Sequence, residues 1–76
     1  MKHIQVPLQP GGQEYIELCH LLKVAGLADS SGQGKRMVAD GLVRIDGRTE
    51  TRKAAKIRTG VEVHCLDHCI SVVAAE

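Results

Sequence analysis

The period of the apolar positions changes along the chain, and each change marks an element. His3-Ile4-Gln5-Val6 alternates polar and apolar side chains and stops at Pro7, the pattern of a short edge strand. Pro10-Gly11-Gly12 then breaks the chain. From Glu14 to Ala25 the spacing becomes helical, with Leu18, Leu21, Leu22 and Ala25 at steps of three and four and with Glu14 and Glu17 near the positive helix start. Gly26 stands where a left-handed helix end is expected, and Leu27 can pack back on the last turn. Asp29 or Ser30 can cap a second helix, predicted over Ser31–Asp40 with Gly34, Met37 and Val38 turned inward and Gly41 closing it. Gly32 and Gly34 each oppose that helix by about 1 kcal/mol relative to alanine.

Beyond Gly41 the period falls to two. Leu42-Val43-Arg44-Ile45-Asp46-Gly47-Arg48 alternates and ends in Asp-Gly, a strong hairpin signal. The face taken by Arg48 depends on the register, because a single bulge reverses every later side chain. Thr51 to Arg58 is polar and basic apart from Ala54, Ala55 and Ile57; if extended, it lines up Arg52, Lys56 and Arg58 on one face about 20 Å long, at roughly 3.3 Å per residue. Val61–Leu66 and Cys69–Val73, separated by a turn at Asp67-His68, read as two final strands.

With 76 residues the chain has room for one small core, and no large substrate cavity fits inside it. The apolar runs are far shorter than the roughly 20 residues that cross a bilayer, and no signal-peptide core follows the first residues, so a soluble cytoplasmic protein is expected, with no membrane partner. Cys19, Cys65 and Cys69 cannot all pair within the chain, and reduced thiols are the default. Tyr15 is the single aromatic residue, which excludes base-stacking platforms for single-stranded nucleic acid.

Charge changes the picture more than composition does. The formal net charge is only +1, yet residues 1–34 sum to −1, residues 59–76 to −3, and residues 35–58 to +5, with eight cations against three carboxylates. A solvated surface could carry such an excess. Clustered lysine and arginine also build a positive field suited to an anionic partner, above all nucleic acid.

The remaining chemistry is sparse. His64, Cys65, His68 and Cys69 are metal-capable, but zinc needs four ligands converging at about 2.0–2.3 Å. Neighbours on a strand point to opposite faces, and across a turn at Asp67-His68, Cys69 faces the side of His64 and Leu66, away from Cys65. Buried or edge cysteines and turn histidines are therefore expected, with no metal, no cofactor and no Cys65–Cys69 disulfide. Gly32-Gln33-Gly34-Lys35 fails as a P-loop because Asp29 stands in the place of the first glycine, Arg36 in that of the hydroxyl residue, and a helix precedes it. Backbone amides at that helix start, beside Lys35 and Arg36, still suit a phosphate, with simple helix nucleation as the plainer explanation. Cys19 and His20 lie about 100° apart around a helix and cannot form a thiol–imidazole pair, so no enzyme and no small-molecule substrate are expected.

The order of these parts resembles the ribosomal-protein S-four type RNA-binding domain, or alpha-L motif, whose pattern is roughly G-L-A-x-S-R-x-x-A followed by I-x-x-G-x-V-x-V-N-G. Gly26, Leu27, Ala28, Ser30, Val38, Gly41, Val43, Ile45 and Gly47 fall on it, with Asp46 in the asparagine place. The family's arginine after the serine is Ser31 here and its alanine is Gly34; Lys35, one turn after Ser31, is positioned to supply the missing charge. Glu50-Thr51-Arg52-Lys53 followed by Lys56-Ile57 resembles the small stand-alone bacterial members of the YbcJ type.

The resemblance implies an α+β fold: two N-terminal helices packed on a small, mainly antiparallel sheet, with a short N-terminal edge strand. Within a single domain over 1–76, residues 1–12 would form the strand and turn, 13–66 the alpha-L motif and 67–76 the C-terminal strand. The function expected is non-catalytic binding of structured RNA, ribosomal RNA among the candidates. Its phosphates would meet Lys35, Arg36, Arg44, Arg48, Arg52, Lys53, Lys56 and Arg58. The alternative is an adaptor domain whose basic stripe meets an acidic protein. A metal-binding regulator would rest on the Cys/His cluster alone.

Overall fold

Alternation at the N-terminus forms strand β1 (Lys2–Pro7), and in the computed structural model, which describes residues 2–8 and 14–74, it lies at one edge of the main sheet. The break at Pro10-Gly11-Gly12 lies outside the described residues. Next come β2 (Tyr15–Glu17), α1 (Leu18–Val24), α2 (Ser31–Ala39), β3 (Val43–Ile45), β4 (Arg48–Thr49), β5 (Lys56–Arg58), β6 (Glu62–Cys65) and β7 (His68–Val73). The main sheet runs β1-β7-β6-β3-β4, antiparallel except for the parallel β1–β7 pair, and β2 with β5 forms a separate antiparallel ribbon.

Side-chain alternation gives the sheet two unlike faces. Val6, Val43, Val63, Ile70 and Val72 are buried in one core with Leu18, Leu21 and Leu22 of α1 and Met37 and Val38 of α2. The opposite face carries Gln5, Arg44, Thr49, Glu62, His64 and Ser71, as the register requires. The α+β class and the packing of two helices on a mainly antiparallel sheet are those expected from the sequence, whereas the separate β2–β5 ribbon is not.

Both helices stop on a left-handed glycine. At Gly26 (φ +84°) the Leu27 N–H bonds the Leu22 carbonyl at 3.0 Å and the Gly26 N–H bonds Lys23 at 3.1 Å. Gly41 (φ +77°) repeats the arrangement, with Leu42 to Met37 and Gly41 to Val38. Each pair satisfies carbonyls that the helix end would otherwise leave open.

Three local expectations are corrected. The first helix begins at Leu18 and not at Glu14, because Tyr15-Ile16-Glu17 pairs with Arg58-Ile57-Lys56 and packs Ile16 against Ile57. The last turn is Leu66-Asp67, one residue earlier than expected, with Leu66 left-handed (φ 56°). This register pairs Cys65 with His68 and sends Ile70 and Val72 to the core. Residues 51–58 do not form one extended face: a turn at Lys53-Ala54 interrupts them, so Arg52 is not in line with Lys56 and Arg58.

Candidate nucleic-acid interface

The basic segment is fixed to the start of α1. Glu17, the N-cap residue, makes no side-chain cap. The Leu18 N–H instead donates to the Ala55 carbonyl at 2.9 Å and the Cys19 N–H to the Lys53 carbonyl at 3.2 Å. Two orphan donors of the helix thus anchor the loop that carries Lys53. In β5, Ile57 is buried while Lys56 and Arg58 point outward. Lys56 Nζ sits 4.9 Å from the Tyr15 ring centroid, a cation–π contact that holds the ammonium at the surface.

On α2, Ser30 Oγ accepts the Gln33 N–H at 3.2 Å, and Gln33 Oε1 accepts the Asp29 N–H at 2.6 Å. The cap expected from the sequence is present, and it occupies the Gln33 amide that a phosphate could otherwise use. Gly34, Met37 and Val38 are buried, leaving Lys35 and Arg36 on the exposed side.

The hairpin turns on Asp46 (φ 52°) and Gly47 (φ 83°), both left-handed as a two-residue turn of the I′ type requires. Its register pairs Arg44 with Thr49 and Ile45 with Arg48. Directly opposed residues share a face, so Arg48 lies on the side of Ile45 and Arg44 on the other. Arg44 is also paired with His64 and borders an open groove formed with Gly41, Leu42, Gly47, His64 and Leu66.

Arg52 is already bound. Its Nε and Nη2 lie 3.1 and 3.2 Å from the two Glu50 carboxylate oxygens, and its backbone N–H donates to Oε1 at 2.8 Å. The side-chain bond and then the backbone bond from Arg52 hold the Glu50 carboxyl below its ordinary range. The eight cations are thus not one stripe. Lys35 and Arg36 lie on α2, Lys56 and Arg58 on the ribbon, and Lys53 on the adjoining turn, while Arg44 and Arg48 take opposite faces of the hairpin.

The Cys/His cluster divides in two. His64 and Cys69 are register partners on the outer face, while Cys65 and His68 are partners on the inner one. Joining His64 and Cys69 is Glu62, whose carboxylate sequence reasoning passed over by weighing only cysteines and histidines; its spacing of two from His64 on a strand was the available signal.

Comparison with known proteins bears on this arrangement. Residues 10–73 match the S4 domain family. YbcJ of Escherichia coli strain K12, whose name marks it as a candidate RNA-binding protein, is 44% identical over 64 residues, covering 84% of this chain and 91% of YbcJ. The YbcJ protein of Shigella flexneri matches with the same identity and coverage. The solution structure of E. coli YbcJ, described as revealing an αL motif involved in RNA-binding, superposes with a TM-score of 0.65 and 39% identity over 97% of this chain and 89% of that one.

Proposed function

The chain belongs to the S4 domain family, and on that footing we propose that it is a non-catalytic RNA-binding module that grips the phosphates of structured RNA in the cytoplasm, ribosomal RNA among its targets. The observation that carries this reading is the outward presentation of Lys35 and Arg36 on α2, capped by Ser30, and of Lys56 and Arg58 on a ribbon whose inner side is buried in the core. Among the described residues neither pair is held in a salt bridge, nor is Lys53 on the adjoining turn, and Lys56 keeps its ammonium at the surface beside Tyr15. Arg44 and Arg48 extend the surface along the two faces of the hairpin. Arg52 contributes less than its charge, because Glu50 neutralises it. The binding unit is residues 13–66, with the N- and C-terminal strands completing its sheet.

Positive charge gives affinity without sequence reading. Tyr15 is the single aromatic residue and Lys56 lies over its ring, so there is no platform for stacking successive unpaired bases, which favours folded RNA over single strands. Crosslinking the protein to RNA in cells and sequencing the attached fragments tests this: recovery of structured RNA segments is expected. Recovery of protein partners that survive nuclease treatment, with no enriched RNA, would favour an adaptor instead.

A further inference from the structure

The outer face of the sheet carries a feature that RNA binding does not use. Glu62 Oε2, His64 Nε2 and Cys69 Sγ lie 3.8 Å from one another in all three pairs. A nitrogen and an oxygen that far apart are not hydrogen-bonded, since such bonds close to about 2.7–3.2 Å, and a thiol contact of that length is weak. Mutual hydrogen bonding therefore does not account for the convergence. A shared cation does: a tetrahedral ion seated over a triangle of that side lies about 2.3 Å from each corner, at the upper end of the roughly 2.0–2.3 Å that zinc keeps to carboxylate, imidazole and thiolate ligands.

We infer that Glu62, His64 and Cys69 form a three-ligand site for one zinc ion on the face of the sheet opposite the helices. The ligands sit on a rigid frame. Glu62 and His64 alternate on β6, and Cys69 is the direct partner of His64 on β7. Cys69 is 3% exposed, whereas the side chains of Glu62 and His64 are 60% and 36% exposed, so the ion enters from solvent and meets the thiol last. The donor set of one soft, one borderline and one hard ligand suits zinc rather than calcium or magnesium, which take oxygen ligands. Binding exchanges the thiol proton for the metal: Zn²⁺ and Cys69–SH give the zinc thiolate and one H⁺. Water completes the coordination at the solvent side.

The full chain, purified under reducing conditions, is titrated with Zn²⁺ against a chromophoric chelator and, separately, with Co²⁺ as a spectroscopic stand-in. One ion per chain and a thiolate-to-cobalt charge-transfer band are expected. E62Q alters an exposed side chain and H64Q a half-buried one outside the core, so the metal-free variants should fold as the parent does. Each should weaken zinc binding beyond the ~10–100-fold that loss of a mere supporting residue costs. Cys19→Ser, on the other side of the core, should leave binding intact. Failure to saturate at one ion per chain, absence of the thiolate band, or binding indifferent to both E62Q and H64Q would overturn the site.

Discussion

A Cβ added to Gly34 would stand 2.6 Å from the carbonyl oxygen of Cys19. The two helices approach so closely there that α2 has no room for a side chain against the α1 backbone. Gly34 is thus set by packing, although it weakens the helix that carries Lys35 and Arg36.

Two glycines of one helix should therefore respond in opposite directions to alanine. Gly34→Ala would gain about 1 kcal/mol of helix propensity but force the helices apart, for a net loss of about 1–2 kcal/mol. Gly32, whose Cβ would meet nothing nearer than Ser30 Oγ at 3.8 Å, should gain up to about 1 kcal/mol. Denaturant melts of both variants check this; a Gly34→Ala protein as stable as the parent would mean that the helices are not in contact at Cys19.

Leu66 is left-handed and exposed at the β6–β7 turn, where its Cβ costs about 1 kcal/mol without burial to offset it. Leu66→Gly or Leu66→Asn should raise the denaturation midpoint, while Gly47→Ala (φ 83°) should lower it by a similar amount. A lower midpoint for both Leu66 variants would refute the assigned turn.

Much of this was legible in the sequence. The Gly26 and Gly41 stops, the Ser30 cap and the Asp46-Gly47 turn are local events, written in the residues that perform them. The strand at Tyr15-Ile16-Glu17 was not, because its partner Arg58-Ile57-Lys56 is distant along the chain and the leucines after it extend a helical period backwards over it. The basic residues were equally visible, but their faces were not. Register separates Arg44 from Arg48, and Glu50 takes Arg52 through a contact that no charge count registers. The corrected turn at Leu66-Asp67 likewise brings Cys69 directly across from His64.

The Glu50–Arg52 pair yields a prediction with a sign. A carboxyl held below its ordinary value of 4.5 stabilises the fold fully above that value, and the contribution is lost as the pH falls through the lowered folded one. Glu50→Gln should therefore remove part of the acid sensitivity below about pH 4.5 while releasing Arg52 for phosphate. RNA affinity should rise, and the salt slope should steepen by roughly 0.7–0.9, the value of one added contact. Unchanged affinity and slope would show that Arg52 does not reach RNA even when freed.

Replacing Lys56 and Arg58 together with alanine should weaken RNA binding alike for unrelated sequences and flatten the salt slope by roughly one to two units, whereas Lys2→Ala on the edge strand should have little effect. Sequence-selective loss would point to base reading instead of phosphate contact.

The most direct measurement is the salt dependence of RNA affinity for the unmodified chain, by fluorescence anisotropy on a folded RNA and on an unstructured homopolymer of equal length. With about four to five phosphates neutralised, affinity for the folded RNA should fall on the order of 10²-fold between about 50 and 200 mM salt, and the homopolymer should bind more weakly throughout. Affinity indifferent to salt, or a homopolymer bound as tightly as the folded RNA, would be incompatible with a phosphate-gripping module for structured RNA.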